Sequence, residues 1–206
     1  MLTRRQIRVK VMQAVYAHYN GNLLSLKDGT NAITKSCQDM LLLHTTLLYL
    51  FKSLWEHAVE QDKIQKKNRK GDAPLNEDYA KIINLSPLAL IAKHLFLTKK
   101  IEQNKLNIWY LEFDYVRQLY DTIVSSEIYL AFKELDRPNF KEQQKFFVKL
   151  FKEIIAPDDR LYHYIEDLNM QWVDDLPVVN TFILKQLRKL REEDTVSYTH
   201  LTLPTT

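Results

Sequence analysis

Apolar residues recur at intervals of three and four along most of the chain, which is the spacing of one face of an α-helix. The first stripe predicts a helix from about Leu2 to Tyr19 that packs on the core. Its members are Ile7, Val11, Ala14, Val15 and His18. Thr3 can cap the beginning of this helix, and Asn20-Gly21 is typical of a helix end.

A second stripe predicts a long helix from about Ile33 to Ile64. Its length and width indicate a central element packed on more than one side. Its members are Ile33, Cys37, Met40, Leu41, His44, Leu47, Leu48, Phe51, Leu54, Trp55 and Ala58. The polar stretch from Gln65 to Asp78 that follows is typical of an exposed connection.

The rest of the chain carries further helical patterns with recognisable starts and stops. The predicted helices are Ser86-Pro87 to about Lys100, Trp109 to Leu135 with a break near Ser125-Ser126, Asn139 to Ala156, Asp158 to about Gln171, and Asp175 to about Arg191. No alternating strand pattern of useful length occurs. The chain is therefore expected to be all-α, a multi-helix bundle with a long central helix.

Composition removes several function classes. Of 206 residues only Gly21, Gly29 and Gly71 are glycine, too few and too far apart for a phosphate-binding loop or a dinucleotide fingerprint. Cys37 is the single cysteine, which excludes an internal disulfide and fits a reducing cytoplasm. No apolar run reaches the length of a membrane span, and no histidines stand at metal-ligand spacing. We expect no enzyme, no cofactor and no metal.

Two pairs of neighbouring carboxylates could bind a cation or do acid–base work. Asp158-Asp159 and Asp174-Asp175 each stand where a predicted helix begins, however, and there an aspartate caps free N–H groups. Capping is the preferred interpretation. His18, His44 and Cys37 lie on apolar stripes, so we expect all three to be core residues.

The net charge of +3 is unevenly distributed. Residues 1–27 carry +5 and contain no acid, whereas the remaining residues sum to −2. Such asymmetry indicates contact with nucleic acid or an anionic surface. Arg4, Arg5 and Arg8 lie in the first turns of the first helix, where the helix dipole disfavours cations. A polyanion would relieve this penalty, because phosphates accept hydrogen bonds from guanidinium groups.

Helical projection places Arg5, Met12 and Tyr16 on one strip, where Tyr16 could stack on a base. Three interpretations remain open from the residues alone. The arginines bind RNA or DNA, they form a solvated basic end, or they serve a membrane or targeting role. An acid-free, amphipathic start of this kind is also typical of mitochondrial transit peptides.

Two segments resemble one protein family. The opening, from Met1 to Tyr19, contains R-R-x-x-R followed by Q-A-V-Y, and residues 171–176 read Q-W-V-D-D-L. Both are similar to the NusB transcription antitermination family, in the longer form found in Bacteroidetes-type bacteria. The resemblance implies an all-helical, cytoplasmic RNA-binding protein. It would recognise boxA RNA together with the ribosomal protein NusE and join the RNA polymerase antitermination complex.

Carried over by position, the family's RNA-binding residues fall on Arg4, Arg5, Arg8 and Tyr16, with Lys10 as an additional basic residue. Residues 1–194 would then form a NusB-like region, with the arginine-rich helix at 2–19 and a helical insertion at about 31–194. The resemblance would also imply that the second half of the family domain, expected after Arg191, is missing from this chain. Residues 195–206 carry no formal charge and five threonines and look non-native, like translated adapter sequence.

Two alternatives accompany this hypothesis. The first is a non-catalytic helical interaction module that uses the Ile33–Ile64 helix as a partner surface and ignores nucleic acid. The second is an RNA-modifying enzyme with a NusB-like accessory domain, which would need a glycine-bearing cofactor domain downstream.

Overall fold

The computed structural model describes residues 4–21, 25–69 and 74–192, and throughout those ranges the regular elements are helices, with no strand. The all-α prediction is confirmed. The helices are α1 (Arg4–Tyr19), α2 (Leu26–Asn68), α3 (Glu77–Ile83), α4 (Ser86–Ala92), α5 (Leu95–Gln103), α6 (Ile108–Leu111), α7 (Phe113–Ser125), α8 (Glu127–Lys133), α9 (Phe140–Leu150), α10 (Asp159–Leu168) and α11 (Met170–Lys189).

The central helix is α2, which has 43 residues and so spans roughly 64 Å at 1.5 Å per residue. It contacts α1, α3 to α7 and α11. Its stretch from Met40 to Ala58 supplies the middle of the core, with Leu43, Leu50 and Phe51 fully buried. The predicted long helix is confirmed. Neighbouring helices cover most of the apolar residues of this stretch.

Most helix ends follow the local chemistry of the sequence. Gly21 has a φ of +74°, the left-handed conformation that commonly follows a helix. Ser126 separates α7 from α8 and caps α8. Asn139 and Glu142 form a reciprocal capping box at the start of α9, where Asn139 Oδ1 accepts from the Glu142 amide at 3.0 Å. These three predictions are confirmed.

Several boundaries differ from the prediction, among them the start of α2 at Leu26 rather than Ile33 and an additional break between α6 and α7 at Glu112. The helix predicted from Ser86 to Lys100 breaks at Lys93 and His94 into α4 and α5, and Leu85 rather than Ser86 stands at the capping position. The helix predicted from Asn139 to Ala156 is α-helical only to Leu150, and a π-helical turn over Phe151–Ile155 follows it. The Ala156 amide donates to the Phe151 carbonyl at 2.8 Å, five residues back, which is the π-helical hydrogen bond.

The aspartate pairs behave differently from each other. Asp158 caps α10 as predicted, since its side chain accepts from the Arg160 amide at 3.1 Å. Asp174 and Asp175 do not begin a helix, because α11 starts five residues earlier at Met170 with Asn169 as its cap. Interpreting Asp175 as a cap is therefore wrong.

The predicted core residues divide in the same way. His44 is buried and its Nε2 lies 2.7 Å from the Gln186 amide oxygen, as expected of a satisfied core histidine. His18 is exposed and Cys37 is only half-buried, so both predictions of burial are wrong. The proposed cap Thr3 and the segment 195–206 lie outside the described residues.

Candidate nucleic-acid interface

One buried ion pair holds α1 against the bundle. The Lys10 ammonium lies 2.6 Å and 2.7 Å from the two carboxylate oxygens of Asp175 on α11. Lys10 is 7% exposed and Asp175 6%. Buried charges need such a partner, because an unpaired one loses its hydration without compensation. The pair joins residues 165 positions apart in the sequence.

The ion pair determines which side of α1 faces inward. Gln6, Ala14 and Ala17 lie within about 40° of Lys10 around the helix axis, and all three are half-buried. The inner face of α1 therefore consists of one lysine, one glutamine and two small residues.

The predicted apolar stripe does not form the buried face. Ile7, Val11 and Val15 are 42%, 39% and 47% exposed, and Ala14 alone of the predicted set turns toward the bundle. The expectation that this stripe packs on the core is wrong. The physical reason is that the Lys10–Asp175 pair rotates the helix, leaving the stripe on its flank.

The same rotation turns the three arginines outward. Arg4, Arg5 and Arg8 lie about 120°, 140° and 160° from Lys10 around the helix, and all three are exposed. None of them is paired with a carboxylate of the described residues, and α1 contains no acid. Among the described residues, the Arg8 side chain donates from its Nε to the Arg4 carbonyl at 3.3 Å, a bond that does not use the outer nitrogens of its guanidinium group.

Aromatic and apolar side chains continue the outer face of α1. Met12 and Tyr16 lie within about 20° of Arg5 around the axis, and the strip from Arg5 to Tyr16 is roughly 16 Å long. Tyr16 is 72% exposed and Tyr19 84%. The strip therefore has cations at one end and exposed aromatic rings at the other. Such an arrangement suits single-stranded nucleic acid, whose phosphates contact cations and whose bases stack on aromatic rings.

Lys10 does not belong to this interface. Its ammonium is buried and committed to both oxygens of Asp175, so it is not available to a phosphate. The structure therefore corrects the prediction of Lys10 as an RNA contact. It leaves Arg4, Arg5, Arg8 and Tyr16 together on one accessible side.

Asp175 is the residue that sequence reasoning missed. The sequence did carry a signal, because the apolar residues Trp172, Leu176 and Val179 stand at helical spacing around Asp175, and the structure shows that all three are buried. A carboxylate in the middle of an apolar face requires a buried cation nearby. The sequence did not identify Lys10 as that cation, because the two residues lie on different helices 165 positions apart and no local pattern connects them.

Comparison of the chain with protein-family models, with characterised proteins and with solved structures finds no match. The resemblance to the NusB family therefore rests on the two short segments alone. Among the helices of the described ranges, none combines the length and the apolar character needed to cross a membrane.

Proposed function

We propose that this protein is a cytoplasmic, non-catalytic RNA-binding factor for transcription antitermination or termination, which recognises boxA-type RNA together with a NusE-like ribosomal protein. The observation that carries the proposal is the orientation of α1. The buried pair of Lys10 and Asp175 holds one side of the helix, so that its three arginines all face solvent on the other.

The electrostatics of α1 favour a polyanion as ligand. Each cation at a helix N-terminus is disfavoured by about 0.3–1 kcal/mol, and Arg4 and Arg8 also repel each other at i, i+4 spacing. No acid in the helix offsets these costs. Phosphates would remove them, with bidentate hydrogen bonds to the guanidinium groups and release of counterions.

The exposed ring of Tyr16 favours a single strand over a duplex. Unpaired bases can stack on an aromatic face, at about 1–3 kcal/mol per base, whereas bases inside a duplex already stack on each other. Tyr16 shares the outer strip with Arg5, so a strand whose phosphates contact the arginine end can place a base on the ring.

The test is the salt dependence of binding to a boxA-containing single-stranded RNA. The variant Arg5→Gln/Arg8→Gln should weaken binding and flatten the plot of log affinity against log salt by about 0.7 per lost contact. A matched control, Lys63→Gln/Lys99→Gln, removes the same charge from exposed positions on α2 and α5. Equal slopes for both variants and the unaltered protein would refute the proposal.

A second candidate function follows from the uncovered apolar flank of α1. Ile7, Val11 and Val15 could contact a protein partner, as a helical interaction module without nucleic-acid binding would. Under that function Val11→Asp/Val15→Asp abolishes partner binding, and RNA affinity stays negligible at low salt. Under the first function low salt gives tight RNA binding.

A further inference from the structure

A second cationic surface lies on the opposite half of α11 from the site that holds α1. A groove of about 330 Å³ runs between α9, the π-helical turn and the end of α11. Four of its seven lining residues are cations and only Glu153 is an acid. The cations are Lys145, Lys149, Lys152 and Arg188.

Carboxylates of the described residues do not neutralise these cations. None of the four is ion-paired with a carboxylate in the described ranges, although several acids lie on the same helices. Lys149 and Arg188 stand near the C-terminal ends of their helices, where the dipole favours a cation. The helix dipole does not explain the position of Lys145, which lies in the middle of α9. Nor does it explain why cations of α9 and α11 line the same groove.

The π-helical turn helps to build the groove. Phe151–Ile155 directly follows α9, and it contributes Lys152 and Glu153 to the lining while Phe151 and Ile155 stay buried. Single π-helical turns are frequent at functional sites. Gln144 donates to the Leu187 and Leu190 carbonyls at 2.8 Å and 2.9 Å, which fixes α9 to the end of α11.

A second groove, mainly apolar, adjoins the first. It has a volume of about 620 Å³ and shares Lys145, Lys149 and Glu153 with the cationic groove. Its apolar lining comes from Ile128, Ala131, Phe132, Leu135 and Phe146. Two lysines therefore stand between a cationic channel and an apolar one.

We infer that this double groove binds a single-stranded RNA segment, with phosphates in the cationic channel and bases over the apolar one. The inference rests on the proposed function and adds a second contact surface to it. Glu127 and Glu142 line the apolar channel, and the Glu142 carboxylate already accepts from the Asn139 amide at 2.8 Å. The exposed Glu127 carboxylate can accept hydrogen bonds from the amino groups of bases, while four cations line the channel for phosphates, and this charge pattern suits RNA.

The two surfaces are separate. Asp175 and Arg188 are 13 residues apart on α11, which places them about 20 Å apart along the axis and about 140° apart around it. An RNA strand would have to pass around α11 to reach both surfaces. Removal of either one should therefore weaken binding without abolishing it.

The experiment measures the affinity of a labelled single-stranded RNA of about 12 nucleotides over a series of salt concentrations. The variant Lys145→Gln/Lys149→Gln/Arg188→Gln should flatten the log–log slope by about 2, from about 0.7 per contact. The control Lys63→Gln/Lys67→Gln/Lys99→Gln removes the same charge from exposed residues outside the groove. It should leave the slope almost unchanged, and circular dichroism should show equal helicity for both.

Comparison of the groove variant with the α1 variant separates this inference from the proposed function. If the groove variant binds like the control while Arg5→Gln/Arg8→Gln weakens binding, the inference is wrong and the function of α1 stands. If the groove variant alone weakens binding, the inference stands and the role of α1 is wrong. A competition experiment tests whether the groove prefers RNA to any polyanion. It uses the Arg5→Gln/Arg8→Gln protein with bound RNA, and polyuridine should displace that RNA more readily than polyglutamate does. Equal displacement by the two competitors would overturn the inference. The single variant Lys152→Gln, with a smaller flattening expected, checks the result in a less altered protein.

Discussion

The ion pair between Lys10 and Asp175 should decide whether α1 stays on the bundle. In Lys10→Ala the Asp175 carboxylate loses its only buried cation partner in the described structure, at a site 6% exposed. Stranding one member of a buried pair costs about 3–5 kcal/mol. The other inward-facing apolar groups on α1 are Ala14 and Ala17, whose methyl groups contribute about 0.8 kcal/mol each at most.

Undocking of α1 is therefore the less costly response. It returns Asp175 to water and sacrifices only the small inner face of the helix, whereas global unfolding would expose the whole core. A free helix of 16 residues is marginal in water, so its amides should then exchange rapidly. Hydrogen exchange followed by mass spectrometry should show faster exchange for residues 4–19 and unchanged protection for Met40 to Ala58 of α2.

A double variant identifies the cause. In Lys10→Met/Asp175→Leu no charge is stranded, and replacement of a buried ion pair by apolar residues is often neutral or stabilising. Protection of α1 should return toward that of the unaltered protein, and the exposed-site control Lys63→Ala should leave exchange unchanged. Retained protection of α1 in Lys10→Ala, or a double variant no better protected than the single one, would refute the reasoning.

Four further predictions concern the stability of the bundle. Burial lowers the pKa of His57, so below about pH 6.5 the unfolded chain binds a proton that the folded protein excludes, and the free energy of unfolding falls as the pH drops. Urea titrations over a pH series should show that the free energy of unfolding decreases less steeply at acid pH in His57→Phe. An unchanged decrease would show that His57 is not its source. Asn139→Ala should lower the free energy of unfolding by about 1 kcal/mol through loss of the cap on α9, and an unshifted urea midpoint would show that the cap contributes nothing. Gly21→Ala should destabilise by about 1 kcal/mol, because φ is +74° and an added Cβ meets no atom within 4 Å, which leaves backbone strain as the cost. Gly29→Ala, at a helical position where the added Cβ meets no atom, should instead stabilise the protein by roughly 0.5–1 kcal/mol. Melting temperatures of the two glycine variants that shift in the same direction would be inconsistent with this account.

Elements that depend on neighbouring residues were predictable. The capping box of Asn139 and Glu142, the break at Ser126 and the left-handed Gly21 each involve groups within four residues of one another. The long apolar stripe of α2 predicted the central helix for the same reason. The break at Lys93 and His94 was missed, since no proline or glycine marks it.

The candidate interface was predictable in composition but not in orientation. The arginines were identified because an acid-free helix with cations at its N-terminus is unfavourable for folding alone, and Tyr16 was identified because helical projection places it beside Arg5. Lys10 was grouped with them, because charge along a sequence does not distinguish an exposed lysine from a buried one. Its burial depends on a partner that lies on another helix.

By itself, the sequence determined the helical class, several helix ends and the concentration of positive charge on α1, because each depends on local spacing and composition. Only the tertiary structure decided which side of α1 faces the bundle. An amphipathic pattern predicts that the apolar stripe is buried, but the contact of Lys10 with Asp175, 165 residues away, places that stripe on the flank. The convergence of α9 and α11 on one cationic groove is likewise a matter of packing, since the two helices are far apart in sequence and meet only in the fold.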